Sequence, residues 1–78
     1  MSSSNELQTL VKMANQIAAN FSFQAEAAEK TAAHIKRFWA PSMRQQILEH
    51  VAAGGADLDD IALQAVRQLP ARTLNSEL

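Results

Sequence analysis

The residues that could hold a metal ion in this 78-residue chain are two histidines and eight acidic residues, since cysteine is absent. His34 and His50 fall in different helical segments of the sequence. Neither has a second histidine four residues away with a nearby carboxylate, the spacing that places two ligands on one helix face. A zinc site needs three or four converging ligands. We therefore interpret both histidines as solvated or edge side chains, and expect no metal site.

Nucleophile and phosphate-binding motifs are also missing from the sequence. The serines lie at the N-terminus and in turns, where helix capping explains them, and none has the strand–turn–helix setting of a hydrolase nucleophile. Gly54 and Gly55 lack the further glycines and the lysine of a phosphate-binding loop. The sequence therefore predicts a chain that is not an enzyme, with no catalytic and no cofactor-binding residues.

Four stretches of the sequence have apolar residues at helical spacing, which indicates the helices that carry the histidines, serines and glycines named above. They predict helices over residues 6–20, 23–40, 41–53 and 58–69. Pro41 separates the second helix from the third, Gly54-Gly55 ends the third, Asp57 is expected to cap the fourth, and Pro70 ends it. Because the connections are short, we expect consecutive helices to pack against each other.

The fold class that follows is all-α, a compact bundle of four short helices with a disordered C-terminal tail. We predict a flexible N-terminus over residues 1–5, a single helical domain over residues 6–70, and a flexible tail over residues 71–78. A domain this small buries a modest core, so close helix packing or a partner is expected to stabilise it.

Composition excludes several classes of protein. The N-terminal residues lack the basic and apolar regions of a signal peptide, and no apolar run approaches the roughly 20 residues of a membrane span. A net charge of −1 argues against nucleic-acid binding. A helix-turn-helix over residues 42–69 would present Asp59 and Asp60 to DNA phosphates, which would repel them. We expect a cytoplasmic protein with no membrane and no nucleic-acid partner.

One stretch of the chain is basic and aromatic. Residues 30–48 contain four lysines and arginines, no aspartate or glutamate, and the only tryptophan. Helical geometry places Trp39 beside Ile35 on the inward face and Phe38 at the edge, near His34. Because tryptophan, arginine and phenylalanine are common at protein interfaces, this stretch is a candidate docking surface for an acidic patch on a partner.

Two further residues interrupt the amphipathic pattern. Arg44 falls inside the apolar arc of the third helix, where an unpaired buried charge is costly, and Leu63 lies outside the arc of the fourth. We therefore predict a partner-binding surface formed by Arg37, Phe38, Arg44 and Leu63. The alternative is that Arg44 pairs internally, with Glu49 or an aspartate of the fourth helix, while Leu63 stays exposed to solvent.

Three sequence blocks resemble a known family. They are LVKMANQIAANF at residues 10–21, HIKRFWAPSMRQQILEHV at residues 34–51, and DLDDIALQAVRQL at residues 57–69. In order and in content, the blocks resemble the delta subunit of soluble, molybdenum-containing, NAD-dependent formate dehydrogenases. The RFW-x-P-x-M-R core is the most specific part. This chain departs from the family pattern at Ala40 and Ser42, where an acidic and a basic residue are common.

The resemblance implies a role in a multisubunit oxidoreductase. The complex would oxidise formate to carbon dioxide and reduce NAD, and its larger subunits would hold molybdopterin, iron–sulfur clusters and FMN. The delta subunit would carry no cofactor, and would support the assembly, cofactor loading or stability of the molybdenum-containing catalytic subunit. An unrelated helical adaptor or antitoxin-like module is the alternative that the residues leave open.

Overall fold

Helices joined by short turns make up most of residues 2–70, the part of the chain described by the computed structural model, with side chains described from residue 6 onward. The helices are α1 (Ser2–Phe21), α2 (Ala27–Phe38), α3 (Pro41–Ala52) and α4 (Asp60–Arg67). No strand occurs within these residues. The predicted all-α bundle of four helices is confirmed, while the tail predicted over residues 71–78 lies outside the described residues.

The first two helices differ from their predicted limits. α1 begins at Ser2 rather than at residue 6, because serine and asparagine cost a helix at most about 0.7 kcal/mol each relative to alanine. α1 thus extends over most of the segment that was predicted to be a flexible N-terminus. α2 begins at Ala27 rather than at residue 23, because Glu26 has a left-handed backbone with φ of 63°. A right-handed helix cannot continue through that conformation.

The core lies among α1, α2 and α4, with Ile47 as the one buried residue of α3. Ile35 is fully buried and Trp39 is only 5% exposed, which confirms that both face inward. Among the residues whose side chains are described, Thr31 is the one buried polar residue, and its Oγ1 donates a hydrogen bond to the Ala27 carbonyl at 2.8 Å. The remaining core residues are Leu10, Val11, Ala14, Ile17, Ala18, Ala32, Ala62, Ala65, Val66 and Leu69.

The connection between α2 and α3 turns a corner. α2 packs against α1 and α4, and α3 packs against the same two helices, but α2 and α3 scarcely touch each other. The expectation that all consecutive helices pack together is wrong here. Trp39 and Ala40 are extended, with ψ of 143° and 152°, and Pro41 then begins α3. Because a residue before proline avoids helical geometry, the chain leaves α2 in a new direction.

Glycine ends α3 as predicted. Gly54 and Gly55 have φ of 127° and 67°, and their N–H groups donate to carbonyls in the last turn of α3 at 3.0 and 2.9 Å. The start of α4 differs from the prediction, since its N-cap is Asp59 and not Asp57. Asp57 instead has a left-handed backbone with φ of 69° inside the turn, so it lies too early to cap the helix.

Candidate docking surface

Phe38 is an exposed aromatic residue at the C-terminal end of α2. Its side chain is 66% exposed, although neighbouring Ile35 and Trp39 are buried. The ring lies 4.6 Å from the His34 ring, centroid to centroid, and the Arg37 guanidinium carbon lies 5.7 Å from the Phe38 centroid. Both contacts are attractive, the second as a cation–π interaction. The predicted edge position beside His34 is confirmed, and two neighbours hold the exposed ring in place.

Phe38 borders an open groove of about 360 Å³ that involves α1, the end of α2 and the start of α3. We call it the α2-end groove. Methionine side chains line it from both α1 and α3, and such flexible, polarisable side chains adapt to varied apolar surfaces. The full lining is Met13, Gln16, Ile17, His34, Phe38, Trp39 and Met43.

Trp39 is a nearly buried member of the groove lining, with 5% of the residue exposed. Its indole N–H donates to no other described residue.

Arg44 on α3 forms hydrogen bonds with the backbone at the C-terminal end of α2. Its Nη1 donates hydrogen bonds to the backbone carbonyls of Lys36 at 3.1 Å and Trp39 at 2.8 Å. The last carbonyls of a helix lack partners within the helix, so a cation here satisfies them and interacts well with the helix dipole. Arg44 thus pairs internally, but with backbone carbonyls and not with Glu49 or an aspartate, the acceptors that the alternative named. Glu49 instead accepts a hydrogen bond from Gln45 at 2.8 Å.

The charge of Arg37, whose guanidinium carbon lies 5.7 Å from the Phe38 centroid, forms a positive rim beside the exposed ring. Lys36 and Arg37 occupy the last turn of α2, and both are exposed. Neither side chain forms an ion pair or hydrogen bond with another described residue. No aspartate or glutamate occurs in residues 30–48 to offset them locally. The charges of these two side chains are therefore available to a partner.

Leu63 lies in a different setting from the other three predicted surface residues. It is half-buried on α4, where its Cδ1 would lie only 2.7 Å from a Cβ added to Gly55. It does not line the α2-end groove. The structure thus brings Arg37, Phe38 and Arg44 to the end of α2 and places Leu63 over the α3–α4 turn. A partner-binding role for all four residues stays a prediction.

A second depression, of about 470 Å³, lies between α1 and the α3–α4 turn. Two of its polar side chains have internal partners: Asn15 binds the turn through its side-chain amide, and His50 Nε2 lies 2.8 Å from the Ala56 carbonyl oxygen. None of the exposed large apolar side chains of the described residues borders it. We therefore regard the α2-end groove as the better candidate for docking.

Sequence reasoning identified the aromatic side of this groove and missed the rest. Met13 and Met43 come from two helices that are far apart in the chain, and no motif links them. Their contribution to one groove follows from how α3 leaves the Pro41 corner. The amphipathic pattern of each helix, taken alone, contains no signal for it.

The described residues contain neither a cluster of metal ligands nor a helix that could span a membrane. Within residues 2–70, no group of three or more His, Cys, Asp or Glu side chains could hold a metal ion. None of the helices in the same residues combines the length and the apolar character needed to cross a membrane. Iron–sulfur clusters are held mainly by cysteine thiolates, and the sequence contains no cysteine.

Fold and groove together define a class of protein, a small helical bundle with a candidate docking groove beside a basic rim. A family model described as NADH-dependent formate dehydrogenase delta subunit FdsD matches residues 9–66. The chain belongs to this family, as the three sequence blocks indicated. The match spans the whole lining of the α2-end groove. No curated protein and no solved structure matches the chain.

Proposed function

We propose that this chain is a non-catalytic accessory subunit that binds the molybdenum-containing catalytic subunit of a cytoplasmic formate dehydrogenase complex. The complex converts formate and NAD to carbon dioxide and NADH, and the accessory subunit supports cofactor loading or stability of its catalytic partner. The observation that carries the proposal is the exposed Phe38 ring, held beside an apolar groove in a member of the delta-subunit family. Rigid, exposed aromatic side chains are common anchors of protein interfaces.

In this proposal the subunit itself holds none of the cofactors of the complex. Iron–sulfur clusters are held mainly by cysteine thiolates, and this sequence has no cysteine. The two histidines have other surroundings, since His34 packs between Phe21 and Phe38 while His50 lies against the Ala56 carbonyl. In this proposal the larger subunits hold molybdopterin, iron–sulfur clusters, FMN and NAD.

Complex formation is tested first, by co-purification. An affinity-tagged chain, expressed with its formate dehydrogenase subunits, is expected to retain the molybdenum-containing catalytic subunit, identified by mass spectrometry. The catalytic subunit mixed with an unrelated tagged helical bundle serves as the control. Retention of another subunit of the complex, without the catalytic one, would contradict the proposed partner.

Support of the catalytic subunit is tested by deletion of the gene. The catalytic subunit made without this chain is expected to contain less molybdenum per polypeptide, or to be recovered in smaller amount, with a matching loss of formate-dependent NAD reduction. Restoring the chain from a plasmid should reverse the loss. Full molybdenum content, yield and activity without the chain would disprove the accessory role.

A further inference from the structure

We infer that the α2-end groove binds an acidic, amphipathic segment of the partner, in which an apolar side chain enters the groove and neighbouring carboxylates face Arg37. This inference rests on the proposed function and specifies the chemistry of the segment that the groove receives. Two independent features of the groove argue for it: its apolar lining and the positive charge of its rim.

The apolar lining requires an apolar occupant. Phe38 is 66% exposed at the groove edge, and Met13 of α1 and Met43 of α3 both line the groove. An exposed aromatic ring next to an apolar cleft gains free energy when a second apolar side chain covers it and removes water from both.

The positive charge at the groove rim favours a negative charge on the partner segment that binds there. Arg37, beside the Phe38 ring, lacks a carboxylate partner among the described residues, and the stretch of residues 30–48 that contains it has no acidic side chain. Complementary charge on a partner steers association and suppresses wrong partners. A basic segment would meet repulsion here, so the observations favour an acidic one.

Binding by matched variants tests the groove directly, with the full chain and the purified catalytic subunit. Phe38→Ala is compared with Phe23→Ala, since Phe23 is 94% exposed and does not line the groove. Arg37→Glu is compared with Arg67→Glu, an equal charge reversal on exposed α4 surface. We expect each groove variant to raise the Kd about tenfold or more, as loss of an interface anchor does, while both controls stay near wild type.

The dependence of the Kd on salt concentration separates the contribution of charge to binding from the contribution of apolar contacts. The wild-type Kd is expected to rise with sodium chloride concentration, because ions screen the attraction between the rim and the carboxylates. Arg37→Glu should flatten that dependence, and Arg67→Glu should keep it. Circular dichroism melting of each variant shows whether it is folded, and all four changes lie at exposed positions.

Cross-linking identifies the occupant. Two of the three methionines of the chain, Met13 and Met43, line the groove. The chain labelled with photo-methionine, mixed with unlabelled catalytic subunit and irradiated, is expected to cross-link from these two positions to one segment containing an apolar residue flanked by aspartate or glutamate. A synthetic peptide of that segment should shift the Trp39 fluorescence, and a copy with Asn and Gln replacing Asp and Glu should bind more weakly.

The outcomes distinguish the two proposals. If the wild-type chain does not bind the catalytic subunit, the proposed function fails and this inference fails with it. If the wild-type chain binds but the groove variants bind equally well, only the groove assignment is overturned. Cross-links to a basic or uncharged segment, or equal binding of the neutralised peptide, overturn the charge assignment.

Discussion

The side-chain amide of Asn15 on α1 joins the backbone of Asp59, 44 residues away in the sequence. Asn15 Oδ1 accepts a hydrogen bond from the Asp59 N–H at 2.8 Å, while its Nδ2 donates to the Asp57 carbonyl at 2.8 Å. No side chain caps the start of α4 from its own turn. One residue of α1 therefore fixes the α3–α4 turn and determines where α4 begins.

Removal of this amide should destabilise the bundle. We expect Asn15→Ala to lower the free energy of unfolding by about 1–2 kcal/mol, because a donor and an acceptor of the turn lose their partner. The measurement is the urea midpoint followed by circular dichroism. Asn20→Ala is the control, since Asn20 is exposed near the end of the same helix. Equal midpoints for the two variants would show that the bridge contributes nothing.

Arg44 should act on folding through its contacts with α2. We expect Arg44→Met, which keeps the apolar stem, to cost about 1–3 kcal/mol because two α2 carbonyls lose a charged donor. Arg67→Met on exposed α4 should change stability by less than about 0.5 kcal/mol. Arg44→Glu should be worse than Arg44→Met, since it places a carboxylate against carbonyl oxygens. If Arg44→Met melts like wild type, the corner is stable without the guanidinium.

Substitutions on and next to α2 should distinguish its buried side chains from its exposed ones. Ile35→Ala and Trp39→Ala should each cost about 2–5 kcal/mol, because they leave cavities in a small core. Phe38→Ala should change stability by less than about 1 kcal/mol, since the ring is mostly exposed. Denaturant midpoints of the three variants give the comparison. A loss for Phe38→Ala as large as that for Ile35→Ala would place Phe38 in the core.

Gly55 and Leu63 should be energetically coupled. Gly55→Ala is expected to cost about 1–2 kcal/mol for its left-handed backbone, and more because the new Cβ would lie 2.7 Å from Leu63 Cδ1. When Leu63 is replaced by alanine, the added cost of the close contact should disappear. Gly55→Ala should then lower the free energy of unfolding by less. A double-mutant cycle of urea midpoints measures the difference. Strict additivity of the two changes would mean that Leu63 moves aside freely.

Local patterns in the sequence were sufficient for the helices and for most of their ends. Pro41 and the pair Gly54 and Gly55 act within a few residues of themselves, through a restricted φ, a missing N–H or a left-handed backbone. Helical spacing placed Ile35 and Trp39 inward and Phe38 at the edge, because one helix turn decides those directions. The start of α2 was missed, since nothing in the sequence around Glu26 requires a left-handed residue there.

What only the tertiary structure decided is which groups on different helices meet. Asn15 bonding to the α3–α4 turn, Arg44 bonding to the end of α2, and two methionines lining one groove all depend on the relative placement of helices. The spacing within a helix determines which side is apolar, but it does not determine what that side faces. The relative placement comes from the corner at Pro41 and from the packing of α3 on α1 and α4 instead of on α2.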